Sequence, residues 1–408
     1  MGFTVEQACP QCGAPIELDE TDRLIICPYC HIKNYLFAKD YFRFLLPAKA
    51  SNDEIIYAPY MRFKGSVYLC EGSTINYAIV DLTYQATTLK QLPLSLGLRP
   101  QAMQMHFVTP DVAGSFLSCS LNPSDVLAEV GKRTSALAAE TLFHRAYVGE
   151  TFSLIYLPLF VHDGTVFDAV INKPVAALPD AEGLMIPEQR ERPEWRITFM
   201  ATICPQCGGD LDGERDSVVL TCPVCETAWE ASEGHLMPVD RVVFGGDEKD
   251  LAYVPFWKIT VREEELGINT LADFMRIAQL PLVKKRDGED KSLSFWLPAF
   301  KVRPREFLRL ASQMTARPPG GGPAAGISLK TLSPVTLPRE EAAQCLKVVL
   351  ANIVTDKRAF SPLLPRINLS VTKYTLIYLP FKARGLDMVQ EETGICINKN
   401  VLKYGRSL

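Results

Sequence analysis

The chain reads as an α+β protein built by tandem duplication, each copy a four-cysteine zinc ribbon followed by a mainly antiparallel β-module with packed helices. Three observations predict this. Cysteines occur as C-x-x-C pairs, and two such pairs recur at one separation in each half. Short landmark sequences of the first half return in the same order in the second. The apolar runs are mostly short, aromatic and β-branched, and broken by proline, which suits strands better than helices. A length of 408 residues, 47% hydrophobic and 22% charged, is ordinary for a globular chain of two to four domains.

The cysteines come first. Cys9-Pro-Gln-Cys12 and Cys27-Pro-Tyr-Cys30 are fourteen residues apart, as are Cys204-Pro-Gln-Cys207 and Cys222-Pro-Val-Cys225. Each set supplies four thiolates, enough to close a tetrahedral ion, so two Zn2+ per chain are expected. Gly13 and Gly208 follow the first pair of each set, where the backbone must bend sharply. A thioredoxin-like redox pair would need a βαβ setting that neither segment has, and it would not repeat the spacing. His31, beside Cys30, stands close enough to support or compete with the ligands.

The modules follow. Tyr57-Ala-Pro-Tyr60 matches Tyr253-Val-Pro-Phe256, Leu98-Arg-Pro-Gln101 matches Val302-Arg-Pro-Arg305, and Ser153 to Pro158 matches Thr375 to Pro380. Ile171-Asn-Lys173 is likewise set against Ile397-Asn-Lys399. Proline donates no ladder bond, so the repeated aromatic-aliphatic-proline element predicts strands that end or bend at similar places. Helices are expected from about Pro123 to Tyr147 and Pro338 to Ile353, the second presenting Ala342, Leu346, Val349, Leu350 and Ile353 on one face. The resulting domains are ribbon 1 at 1–39, module 1 at 40–176, a proline-rich linker at 177–199, ribbon 2 at 200–235 and module 2 at 236–408. Pro318 to Gly326 reads as a flexible loop.

Charge and motifs limit the function. The formal net charge is −4, and two Zn(Cys)4 centres, each formally −2, take it to −8. Residues 200–250 carry eleven carboxylates against three cations, which repels phosphate. Lys33, Lys39 and Arg43 beside Tyr35 and Phe37 make only a slight basic patch. No phosphate loop, dinucleotide turn, nucleophile elbow or H-E-x-x-H is present, and the five histidines do not recur between the halves. Of the remaining Cys70, Cys119, Cys345 and Cys396, Cys345 set against Val130 and Cys396 set against Val170 read as small core hydrophobes. No apolar run reaches the roughly 20 residues of a bilayer helix, and no secretory start is seen, so a cytoplasmic protein is expected.

The paired knuckles resemble TFIIB-type and rubredoxin-like zinc ribbons. With the aromatic-x-Pro-aromatic strand after them, the chain is similar to a group of bacterial zinc-ribbon proteins often labelled loosely after the primosomal replication-restart helicase. The resemblance implies Cys9, Cys12, Cys27, Cys30, Cys204, Cys207, Cys222 and Cys225 as ligands. It carries no helicase activity, since helicase motifs are absent. Some relatives accompany membrane-associated scaffold or stress proteins. The functional expectation is a non-enzymatic zinc-binding adaptor that docks protein partners through its duplicated β-module, with membrane association only through a partner. The alternatives are a nucleic-acid-associated ribbon factor and an enzyme with its site between the copies.

Overall fold

Tyrosine, phenylalanine, valine and isoleucine recur through residues 56–71, 142–162, 251–263 and 369–384, and such side chains pack best on a pleated backbone. All four stretches are long strands in the computed structural model of the chain. The structure describes residues 2–49, 54–135, 141–177, 190–191, 195–232, 234–245, 251–263, 267, 270, 273, 292–324, 327 and 329–405. It is mixed α+β, mostly sheet with few helices. The chain falls into two compact units, one of Met1–Lys64, Val80–Thr134 and Thr151–Thr202, the other of Gly65–Ile79, Ser135–Glu150 and Ile203–Leu408.

In the first half, β1 (Thr4–Ala8) pairs with β2 (Pro15–Asp19), and β3 (Leu24–Ile26) with β4 (Lys33–Phe37). Then come β5 (Phe42–Leu45), β6 (Ile56–Glu71), β7 (Thr74–Gln85), the single turn α1 (Arg99–Ala102), β8 (Met105–Phe107), β9 (Ser115–Leu117) and α2 (Pro123–Ser135). β10 (Leu142–His162), β11 (Thr165–Asp168), β12 (Lys173–Ala177), β13 (Arg190–Glu191) and β14 (Thr198–Ala201) complete it. The main sheet runs β13-β9-β6-β10-β5-β8-β1-β2, with β7 on β6 and β11 on β10. Hairpins make much of it antiparallel, but β1 with β8, β5 with β10 and β6 with β9 are parallel. Within the stretch expected as linker, Trp195 is buried and donates Nε1–H to Asp40 at 3.0 Å, and β14 pairs with β4.

A buried charge network ties β2 to β6 in the first unit. Arg62 grips Asp81 through Nε and Nη2 at 2.7 and 2.8 Å, and Glu20 receives Arg62 Nη1 at 2.5 Å together with the Lys64 ammonium. Arg62, Lys64 and Glu20 are all withdrawn from water. Two cations meet two carboxylates, so no net charge is left buried.

The second half opens with a three-stranded sheet of β15 (Val219–Thr221), β16 (Ala228–Ser232) and β17 (His235–Val239). β18 (Arg241–Val243), β19 (Leu251–Glu263) and β20 (Ser294–Pro298) follow, then α3 (Pro304–Ala316), α4 (Arg339–Ala343), α5 (Leu346–Ile353) and α6 (Lys357–Phe360). β21 (Leu369–Arg384), β22 (Asp387–Gln390), β23 (Ile395–Asn398) and α7 (Lys399–Tyr404) end it. The sheet runs β20-β19-β21-β22-β23, with β18 parallel to β21. Its core centres on Trp257, fully buried, whose Nε1–H reaches the Leu337 carbonyl at 2.9 Å. Ala342, Leu346, Val349 and Leu350 are buried as the helical period predicts.

Several expectations need correcting. The helix expected to reach Tyr147 stops at Ser135, and Leu142 already begins β10; residues 136–140 lie outside the described residues. The helix expected over Pro338 to Ile353 is broken between Ala343 and Leu346. Pro298 ends β20 as expected, but the other repeated prolines do not mark strand ends. Pro158 and Pro380 sit inside long strands, at the points where those strands change neighbours. β10 pairs β5 up to Tyr156 and β11 from Leu159; β21 pairs β18 up to Tyr378 and β22 from Lys382. A missing N–H there costs no ladder bond. The glycine-rich loop is pinned rather than free over its middle: Gly320 N–H donates to Glu392 at 2.7 Å, and Ala324 N–H to the Val243 carbonyl at 2.9 Å. Residues 325 and 326 lie outside the described residues.

Candidate metal centres

Each cysteine pair is held by the same short turn. In the first, Cys9 N–H donates to the Ala14 carbonyl at 2.8 Å, and Gly13 N–H returns to the Cys9 carbonyl at 2.9 Å. The pattern repeats as Cys27 to Ile32 with His31 to Cys27, as Cys204 to Gly209 with Gly208 to Cys204, and as Cys222 to Thr227 with Glu226 to Cys222. The fifth residue of every turn is left-handed: Gly13 at φ 72°, His31 at 57°, Gly208 at 76° and Glu226 at 57°. Such a turn points its unpaired N–H groups at the first sulfur, and so favours the thiolate over the thiol. The strands beyond carry the turns together: β3 and β4 pair as Leu24 with Tyr35, and β15 and β16 as Val219 with Glu230.

The turns bring eight sulfurs into two tetrads. Cys9, Cys12, Cys27 and Cys30 form one, and Cys204, Cys207, Cys222 and Cys225 the other, every Sγ within 4.8 Å of the rest of its group. Cys9 lies 3.7 Å from Cys30, Cys12 3.6 Å from Cys27, Cys204 3.6 Å from Cys225 and Cys207 3.4 Å from Cys222. These separations exceed the roughly 2.05 Å of a disulfide. They match the edges of about 3.8 Å in a regular tetrahedron of 2.3 Å metal–sulfur bonds. The donor set therefore fits one tetrahedral, thiophilic ion per tetrad.

The acidity of the sulfurs says the same. The Cys30 N–H, against the opposing pull of burial and with help from Tyr29 N–H, brings the Cys27 thiol down to about 6. Cys30 goes the other way. The Ile32 N–H favours its thiolate, yet burial and the sulfurs of Cys27, Cys12 and Cys9 push it up to about 12. In the second tetrad burial would raise Cys204, but the Thr227 hydroxyl and the N–H groups of Cys207 and Gln206 bring it to about 6. Four thiolates this close cannot all be charged without a cation among them. A bound ion would supply that charge and would cross-link the two turns.

The remaining expected residues are dispersed. His31 is exposed, closes a turn through its N–H, and lies outside the group of four sulfurs within ligating reach. Among the described residues, the groups of three or more His, Cys, Asp or Glu within ligating reach are the two tetrads. Cys70 and Cys345 are fully buried, and burial pushes the Cys70 thiol up to about 12. Cys119 Sγ lies 3.2 Å from the Leu121 carbonyl. Cys396 does not fit the core reading: it is exposed, pointing outward between buried Ile395 and Ile397 on β23. The Asn-Lys match also fails. Asn172 closes a turn onto the Asp168 carbonyl with φ 55°, and Gly394 closes the same turn onto Gln390 with φ 70°, whereas Asn398 caps α7.

Sequence reasoning missed Thr227, Trp229, and the shared role of His31 and Glu226. The signal for the last pair was their place, four residues after the first cysteine of a knuckle, where the other knuckles have glycine. No protein-family model, curated protein or solved structure matches the chain.

Proposed function

We propose that the protein is a non-enzymatic zinc-binding adaptor, made of two copies of one ribbon-plus-β-module, which docks other proteins. The observation that carries the metal half is the pair of four-sulfur tetrads on four turns of one geometry. A closed S4 set suits zinc, which is held four-coordinate and tetrahedral in structural sites. TFIIB-type and rubredoxin-like ribbons are the families this arrangement resembles.

Matching registers support the duplication. His162 pairs with Thr165 and Val161 with Val166, while Arg384 pairs with Asp387 and Ala383 with Met388. β5 meets β10 as Leu45 with Tyr156, and β18 meets β21 as Val243 with Tyr378. The ribbon ladders coincide likewise, including Ala8 with Pro15 and Ile203 with Asp210.

The adaptor half rests on the surface. The aromatics flanking the prolines, Tyr57, Tyr156, Tyr253 and Tyr378 among them, are buried and form core. Among the exposed large apolar residues, which also include Leu94, Leu98 and Leu386, are the knuckle tips: Tyr29 is 67% exposed and Val224 71%, each the residue before the last cysteine of its tetrad. Exposed apolar groups on metal-stiffened turns are suited to contact a protein surface. The acidic 200–250 segment opposes nucleic acid.

Two experiments test the reading. Elemental analysis of purified protein is expected to give two equivalents of zinc; one equivalent, or iron at both tetrads, overturns it. Quantitative affinity purification from the native cell is expected to yield a stoichiometric protein partner that the Tyr29→Ser, Val224→Ser double variant loses. Salt-dependent binding of mixed-sequence DNA at 150 mM salt, tighter than about 1 µM, would favour the nucleic-acid alternative instead.

A further inference from the structure

The two tetrads share a backbone but not their surroundings. In the second, Thr227 follows the left-handed Glu226, and its Oγ1 lies 3.0 Å from Cys225 Sγ and 3.5 Å from Cys204 Sγ. Trp229, two residues further on, donates its Nε1–H to the same oxygen at 2.9 Å. An indole N–H only donates, so the Thr227 oxygen accepts there and its own proton is left to point at sulfur. A metal-bound thiolate only accepts, so the direction is fixed. β16 holds Trp229 opposite Leu220, and Thr227, just before that strand, is fixed by the Cys222 N–H donating to its carbonyl at 2.8 Å. At the same place in the first tetrad stand Ile32 and Asn34. Isoleucine has no donor, and the Asn34 amide nitrogen is buried without a partner.

We propose that Thr227, oriented by Trp229, is a positioning residue that shields the thiolates of the second tetrad, and that the first tetrad, lacking it, yields its metal first to electrophiles. This rests on reading both tetrads as metal sites. A hydrogen bond to a thiolate withdraws charge from sulfur, which lowers its nucleophilicity while leaving it a ligand. The two sites then have separate roles. One is a permanent cross-link, and the other is a cross-link that a reactive electrophile can open.

The covalent step can be written with a simple probe. A ligand thiolate attacks the methylene carbon of iodoacetamide; the S–C bond forms as the C–I bond breaks, and iodide leaves with the electron pair. The neutral thioether no longer balances the ion's charge, and the ion is lost from the remaining three thiolates. No oxidant or reductant takes part.

The test treats the full-length protein, its metal content first established by elemental analysis, with limiting iodoacetamide. Released metal is followed with a chromophoric chelator, and alkylated cysteines are assigned by peptide mass spectrometry. Two phases are expected, the fast one carrying label on Cys12 and Cys30 and the slow one on Cys225, the sulfur nearest the Thr227 hydroxyl. Their rates should differ about tenfold, the lower end of what a ligand's hydrogen-bond partner is worth. Thr227→Val should bring the slow phase up to the fast one, or lose the second metal while keeping the first; Thr227→Ser should preserve the slow phase. Ile32→Thr with Asn34→Trp should slow the first tetrad. The unaltered tetrad in each variant reports whether the fold is intact. Equal labelling of both tetrads in the wild type, or a Thr227→Val protein with an unchanged slow phase, would overturn the proposal. Protein purified without metal would overturn the metal reading itself, a separate and earlier failure.

Discussion

His31 and Glu226 occupy the same left-handed backbone position, φ 57° in each, at the fifth residue of the second knuckle of their tetrads. The first knuckles place Gly13 and Gly208 there. A side chain in this region brings its Cβ against the neighbouring carbonyl, a strain of about 1–2 kcal/mol that glycine avoids. Each tetrad therefore stores some strain in its second knuckle and none in its first.

It follows that His31→Gly and Glu226→Gly should each tighten their tetrad. About 0.5–1 kcal/mol is expected after glycine's larger unfolded entropy is subtracted. The converse changes, Gly13→Ala and Gly208→Ala, meet nothing within 4 Å, so their cost is conformational only, about 1 kcal/mol. Competition with a graded chelator, read separately for each tetrad, checks both signs. A His31→Gly protein that releases metal more readily would mean that the imidazole contributes more than its backbone.

Each tetrad is closed by its own four sulfurs, so losing one ligand should be local. Cys27→Ser is expected to halve the metal content and leave the other tetrad loaded. Chelation should abolish the order of residues 2–37 before the main sheets unfold, because a structural ion contributes on the order of 10 kcal/mol to its own small domain. Elemental analysis and hydrogen exchange resolved by peptide would report the two effects. Loss of both metals from the single substitution would show that the tetrads are coupled.

The buried network around Glu20 offers a stability test away from the metal. Glu20 accepts from both Arg62 and Lys64, so Glu20→Ala removes a carboxylate that two cations withdrawn from water share. A loss of about 3–5 kcal/mol is expected, as for breaking other buried ion pairs from one side. Glu20→Gln should cost less, since its carbonyl still accepts one donor. Urea unfolding followed by tryptophan fluorescence would measure both, and equal small losses below about 1 kcal/mol would place the pairs effectively in water.

The uneven legibility of the chain has a physical cause. The tetrads could be read because their ligands are local: four cysteines within some twenty residues leave little room for another geometry. The long strands were legible from aromatic and β-branched content, and Ala342 to Ile353 from its period. The Glu20 network was not, because its cations lie 42 and 44 residues away along the chain, and nothing in the sequence at Glu20 announces them. The proline positions were misplaced for a related reason. Sequence shows that Pro158 and Pro380 lack an N–H, but not that β10 and β21 change neighbours there. His31 and Glu226 escaped notice because a side chain that tolerates the left-handed region looks like any other residue, whereas glycine advertises it.

The last expectation concerns acid. Burial, with a smaller push from the Lys347 ammonium, holds the His144 imidazole at about 4, well below its ordinary 6.5. Its Nε2 has no hydrogen-bond partner, so a proton taken up there would be both buried and unpaired. Below pH 6.5 the unfolded chain binds that proton and the folded chain does not until about pH 4. The stability His144 contributes is therefore complete above pH 6.5 and falls away as the pH drops toward 4. At pH 5 the loss amounts to roughly 2 kcal/mol, one and a half pH units at 1.36 kcal/mol each. Cysteine ligands also protonate in acid, so the wild type alone would mix two effects. The comparison to make is between the wild type and His144→Leu, each unfolded with urea at pH 7 and at pH 5. The leucine variant should lose about 2 kcal/mol less between the two conditions, whatever its stability at pH 7. Equal losses in both proteins would mean that His144 takes up its proton without cost, and that the side chain reaches water.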